Sequence, residues 1–193
     1  MNWPNRLTVL RIILSPLFYV VFFLPQWTGR GEVFSSLAVV LLFLIIEVSD
    51  VLDGYLARKY GSVTDIGKVI DPFADVLSRM TYFFCFTLSG LMPAWIFLFL
   101  IYRELGATFL RMLLIRKGIA MAASVWGKAK AVTYAAGGVL GVVYITLSRS
   151  ISGYEKMLEI LSTAALVVFV LALVSSYLSF GTYVKKAAPK LGE

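Results

Sequence analysis

Between Ser49 and Arg79 the sequence reads SDVLDGYLARKYGSVTDIGKVIDPFADVLSR, with aspartates at 50, 53, 65, 71 and 75. Asp50 and Asp53 stand three residues apart, and Asp71 and Asp75 four apart. On a helix each pair shares one face. The link from Lys59 to Lys68 is only long enough to reverse direction, so the two carrying segments should be antiparallel neighbours with all four carboxylates at similar depth. Four negative charges that close repel one another and must be neutralised by protons or cations. Carboxylate oxygens on rigid helices are hard ligands, suited to Mg²⁺, Mn²⁺ or Ca²⁺. Asp65 falls in the turn and outside this set. Gly54 and Ala57 leave a groove beside the carboxylates for a bulky ligand, and Arg58 at its inner lip can hold a phosphate.

The elements that carry these residues are those of a membrane protein. Of 193 residues 60% are hydrophobic, and mean hydropathy is +0.85, whereas soluble domains are about half apolar. Apolar segments run over Leu7–Pro25, Val33–Leu56, Val69–Leu88, Pro93–Ile115, Ala129–Leu147 and Met157–Phe180. Each is near the ~20 residues needed to cross the hydrocarbon. The reading is all-α: a single domain over residues 1–193, an integral membrane bundle of six transmembrane helices. A short N-terminal interfacial helix in MNWPNRLTVLRIILSP would place Trp3 at headgroup level with Arg6 and Arg11 snorkelling beside it. The first segment does not read as a cleavable signal, because it is long, contains Pro16 and lacks a small-x-small site.

Charge sets the orientation. With the N-terminus inside, only Arg30, Arg149 and Lys156 fall on outer connections, and the inner side receives most of the other cations. The positive-inside rule then puts both termini in the cytoplasm, at the cell (inner) membrane. The net charge of +7 is one-sided and suits anionic headgroups or substrates. No soluble domain offers a basic face to nucleic acid. The chain has no histidine, which removes imidazole acid–base chemistry and most transition-metal sites. Cys85, the only cysteine, lies in an apolar run and reads as a core or lipid-facing thiol. Gly137 and Gly141 form a small-xxx-small pair explained by close helix packing, with a dimer seam as the alternative.

A second charged group lies further on. Arg103 is about midway along the fourth segment and Arg111 is eight residues later, so both can face one cavity. Lys128 and Lys130 open the fifth segment on the same side. Together they suggest a cationic pocket for a phosphorylated ligand. The plainer readings are membrane-surface charge for the lysines and a salt bridge for Arg103. Glu104 is a weak partner on helical geometry, because adjacent residues point apart. Glu47 and Arg79, each one turn outward of an aspartate, should form a buried pair bracing the site, unless Arg79 serves the site directly as a cation. A buried network that merely pins two helices is the bland account of the aspartates, but four intramembrane carboxylates exceed what pinning needs.

Asp50-x-x-Asp53-Gly54-x-x-Ala57-Arg58, then Gly67-x-x-x-Asp71-x-x-x-Asp75, resembles the signature of the CDP-alcohol phosphotransferase family. The opening Asn2-x-Pro4-Asn5-x-x-Thr8-x-x-Arg11, the segment Arg103-Glu104…Thr108…Leu110-Arg111, and Gly127-Lys128-x-Lys130 are similar to its bacterial phosphatidylglycerophosphate synthases. The resemblance implies a membrane enzyme that binds CDP-diacylglycerol and two divalent ions, Mg²⁺ or Mn²⁺, on the cytoplasmic side. Asp50, Asp53, Asp71 and Asp75 would hold the metals, and Asp75 would also be the base toward the acceptor hydroxyl. Gly54, Ala57, Arg58 and Gly67 would line the CDP-lipid site. Arg103, Arg111, Lys128 and Lys130 would bind sn-glycerol 3-phosphate, giving phosphatidylglycerol phosphate and CMP. The family also implies a homodimer. Val76 stands where those synthases carry Lys, which bears on the acceptor rather than the reaction class. Inositol phosphate, serine, phosphatidylglycerol or a small alcohol are the other acceptors of that class. A divalent-cation transporter is the reading from intramembrane carboxylates alone, but the outer halves of the segments offer few polar groups for an outward path.

Overall fold

The computed structural model describes the backbone of residues 3–60, 65–116, 125–150 and 153–191, and within these not the side chains at 3–5, 53, 54, 56–60, 65–69, 186 and 189–191. Helices α1 (Trp3–Thr28), α2 (Glu32–Tyr60), α3 (Asp65–Leu88), α4 (Ala94–Arg116), α5 (Val125–Ser150) and α6 (Glu155–Leu191) follow in order, with no strand among the described residues. The six apolar segments thus fall in six separate helices. The expected interfacial helix is not a separate element. Instead α1 runs unbroken from Trp3, because Pro4 falls in the first turn, where its missing N–H would find no helical partner anyway.

Helices α1, α2, α5 and α6 each contain a stretch long and apolar enough to cross a membrane. Helices α3 and α4 carry the charges: Asp71, Asp75 and Arg79 on one, Arg103, Glu104 and Arg111 on the other. Helix α3 packs against α1, α4 and α5, while α4 packs against α3 and α6. Ile13, Leu37, Leu41, Phe109 and Val132 are exposed, an apolar exterior that lipid would cover. This is the layout of a multi-pass membrane protein.

Aromatic rings fill the centre. Phe18 and Phe22 come from α1, Phe43 from α2, Tyr82, Phe83 and Phe86 from α3, Tyr134 from α5 and Phe169 from α6, all buried. Tyr82 meets Phe43 edge-on at 5.5 Å between centroids, and Phe83 meets Tyr134 at 5.5 Å. Glycines on α5 make room for them. A Cβ at Gly141 would lie 2.2 Å from the Phe86 ring, one at Gly138 2.8 Å from Phe43, and one at Gly137 3.2 Å from Phe169. The glycine stripe therefore receives rings of its own chain.

Pro25 leaves a carbonyl that the fold answers from another helix. Pro25 has no N–H to offer Val21 four residues earlier, and the Ser35 hydroxyl from α2 donates to that carbonyl at 2.7 Å. Arg149 of α5 donates to the adjacent Phe22 carbonyl at 2.9 Å and to Ser35 Oγ at 3.2 Å, and it stacks over the Phe22 ring at 4.5 Å. In lipid such groups must be satisfied from within. Just beyond the end of α3, Gly90 takes a φ of 80°, and the Leu91 and Met92 N–H groups return to the Phe86 carbonyl at 2.9 and 3.1 Å, a left-handed cap that turns the chain toward α4.

Candidate active site

The aspartates converge. Asp50 of α2 and Asp71 and Asp75 of α3 each present one oxygen, all within 4.8 Å of one another. A divalent ion bound at roughly 2.0–2.6 Å can be shared by oxygens up to about 4–5 Å apart, so this donor set fits Mg²⁺, Mn²⁺ or Ca²⁺. Position 53 lies one turn along α2 from Asp50, and its side chain lies outside the described residues, as do the side chains of Ala57 and Arg58 and the surroundings of Gly54 and Gly67.

The cluster's demand for positive charge is visible in its neighbours. Arg11 of α1, only 1% exposed, donates through Nη1 to Asp50 Oδ1 at 2.7 Å and to Asp75 Oδ1, and through Nη2 to Asp71 Oδ1 at 2.5 Å. Arg79 Nη2 donates to Asp50 Oδ2 at 2.8 Å. Three carboxylates thus share two guanidiniums, one excess negative charge among these side chains. Of the two roles expected of Arg79, the direct one is seen, since it turns inward to Asp50, while Glu47, within electrostatic reach of Arg79, accepts through Oε1 from the Tyr82 hydroxyl at 3.3 Å. The carboxylate cluster is the stronger attraction for a long, flexible guanidinium.

The second charged group is built around Glu104. Its Oε1 accepts from Arg103 Nη1 at 2.7 Å and from the Tyr134 hydroxyl at 2.8 Å, and lies 2.6 Å from Lys130 Nζ. Arg103 Nε also donates to the Ser176 carbonyl of α6 at 2.8 Å, and the Lys130 ammonium sits 4.8 Å from the centre of the Tyr134 ring. The Arg103–Glu104 salt bridge is therefore real despite the angle between adjacent helical residues. An arginine stem is long enough to fold back, and buried charges gain most from meeting. Of the four expected acceptor cations, Arg103 and Lys130 come together here, whereas Arg111 and Lys128 are exposed. Lys130 and Arg79 are within electrostatic reach of each other, which makes the two charged groups neighbours.

Arg11, Tyr82, Glu104 and Tyr134 join these charged groups, and local spacing did not mark them. The available signal for Arg11 was an arginine inside an apolar run, and for Glu104 a second charge beside a mid-span arginine.

With this geometry in hand, the sequence matches the family described as CDP-alcohol phosphatidyltransferase over residues 1–182. The chain belongs to that family. A CDP-diacylglycerol–glycerol-3-phosphate 3-phosphatidyltransferase of Treponema pallidum is 35% identical, with 99% of this chain and 91% of that protein aligned. One of the same description from Bacillus subtilis is 38% identical over 67% of this chain and 70% of its own length. The protein is thus a CDP-alcohol phosphatidyltransferase family enzyme of the membrane, with an acidic group able to hold a metal ion.

Proposed function

We propose that this enzyme transfers the phosphatidyl group of CDP-diacylglycerol to sn-glycerol 3-phosphate, releasing CMP and phosphatidylglycerol phosphate. The observation that carries the reading is the adjacency of two opposite sites. One is the carboxylate cluster of Asp50, Asp71 and Asp75, and the other is the buried cation pair Arg103 and Lys130. The relatives named above, described as using glycerol 3-phosphate, support the choice of acceptor.

Asp50, Asp53, Asp71 and Asp75 would hold two divalent ions, Mg²⁺ or Mn²⁺. When bound, the ions neutralise the pyrophosphate of the lipid nucleotide and stabilise the departing CMP. By the family's signature, Gly54, Ala57, Arg58 and Gly67 would line the CDP-lipid site. Arg103 and Lys130, with Arg111 and Lys128 nearer the surface, take the acceptor's phosphate. The acceptor hydroxyl then attacks the phosphorus that carries the diacylglycerol, the bond from that phosphorus to CMP breaks, and Asp75 takes the hydroxyl proton. The lysine and arginine distribution supports a cytoplasmic site with both termini on that side. A homodimer, implied by the family resemblance, belongs to the same proposal.

Asp75→Asn tests the base. It should abolish CMP release while CDP-diacylglycerol still binds, and a fully active Asp75→Asn enzyme would remove Asp75 from that role. In the same assays Lys130→Ala should raise KM for glycerol 3-phosphate more than KM for the lipid, and equal effects on both would argue against the acceptor pocket.

A further inference from the structure

Glu104 sits where α4, α5 and α6 meet, 4% exposed, and a single oxygen faces three donors from Arg103, Lys130 and Tyr134. One cation is enough to balance a carboxylate. Here it faces two, leaving one positive charge in excess in an apolar interior. The neighbouring carboxylate cluster offsets part of that excess, and an anion bound at the cations themselves completes it. Lys130 is the most open member, its side chain 15% exposed against 5% for Arg103 and 6% for Glu104. Any incoming anion therefore approaches from the Lys130 side. Arg103 is oriented by two bonds, Nη1 to Glu104 and Nε to the Ser176 carbonyl, and among the described residues its Nη2 has no hydrogen-bond partner. The group is thus a pre-aimed pair of cations whose direction is fixed by a shared carboxylate.

We infer that Glu104 is a positioning residue for the acceptor: its carboxylate holds the Lys130 ammonium and the Arg103 guanidinium aimed so that the pair receives a phosphate monoester. This rests on the phosphorylated-acceptor reading given above. An ammonium or guanidinium stripped of its counter-charge in a buried site is penalised, and a loosened one no longer presents its donors in one geometry. The effect of Glu104 therefore falls on acceptor binding, not on the lipid nucleotide, which the aspartates face.

The test uses the full-length enzyme in lipid nanodiscs and the variant Glu104→Gln, which keeps the shape and an accepting oxygen but removes the charge. KM for glycerol 3-phosphate should rise about tenfold or more, the scale of a charge-assisted hydrogen bond, while KM for CDP-diacylglycerol stays within about twofold. Glu104→Asp keeps the charge one methylene short and should show the same split at smaller size, which also covers the case of a Glu104→Gln enzyme that does not fold. An unchanged or lowered acceptor KM, or equal rises for both substrates, would overturn the inference and leave Glu104 as a helix tie. Wild-type CMP release with glycerol 3-phosphate decides the acceptor reading separately. If it fails, calorimetric titration with inorganic phosphate still tests Glu104: weaker phosphate binding by Glu104→Gln supports the role, and equal binding removes it.

Discussion

A guanidinium buried among three carboxylates sets two large opposing terms against each other. Arg11 loses its hydration, and Asp50, Asp71 and Asp75 lose part of theirs, yet each finds a charged partner. Breaking such a group by removing one partner costs more than the group contributes as a whole, because uncompensated charge is left behind. Arg11→Gln should lower stability in EDTA by roughly 3 kcal/mol, the low end for buried pairs, since Asp71 is 45% exposed and solvent screens part of the repulsion. Adding Mn²⁺ should shrink the deficit, because a divalent ion supplies positive charge to the same oxygens. A thermal-unfolding deficit equal with and without Mn²⁺ would contradict that shared use. The aspartate pairs were legible in sequence because their spacing repeats with the helix. The role of Arg11 was not, since its partners lie 39 to 64 residues away and its local surroundings suit a snorkelling residue equally well. Glu104 escaped for a related reason: the i,i+1 rule describes Cβ directions, while long side chains in an apolar interior go where charge is.

At the scale of elements, packing rather than hydropathy decides which positions tolerate change. The Phe86 ring is fully buried and cannot yield to a new atom 2.2 Å away. Gly141→Ala should therefore destabilise by about 1–3 kcal/mol, the range for overpacking. Gly181→Ala on α6 has nothing within 4 Å and should be neutral or slightly stabilising, since alanine is the better helix former. Thermal midpoints of the two variants in the same detergent make the comparison, and equal midpoints would contradict the ring-in-groove account of α5. The existence of the helices was plain from the apolar runs, and their ends were not. Hydropathy marks the part of a helix that lipid covers, whereas α6 runs on to Leu191, past the end of the last apolar segment. The N-terminal helix merged with α1 by the same logic: a change from polar to apolar residues is a change of solvent, not a break in hydrogen bonding.

For the whole molecule, six helices gather two charged groups among the described residues, one built on carboxylates from α2 and α3 and one on cations from α4 and α5. The reaction class follows from the family to which the chain belongs, and the proposed acceptor rests on the cation pair and the named relatives. Val76, which departs from the synthases' pattern, is half-buried against the aromatic core, while Arg79 one turn on carries positive charge toward Asp50. The arrangement depends on contacts between helices distant in sequence, which is why the signature could name the chemistry without showing which cations meet. The most direct measurement of the central claim is CMP release by the purified enzyme from CDP-diacylglycerol with Mg²⁺ or Mn²⁺. Acceptors are offered singly: glycerol 3-phosphate, inositol phosphate, serine and phosphatidylglycerol. CMP and phosphatidylglycerol phosphate should form in equal amounts with glycerol 3-phosphate, with little CMP from the others. Release of CMP with another acceptor but not with glycerol 3-phosphate, or with none, would contradict that claim.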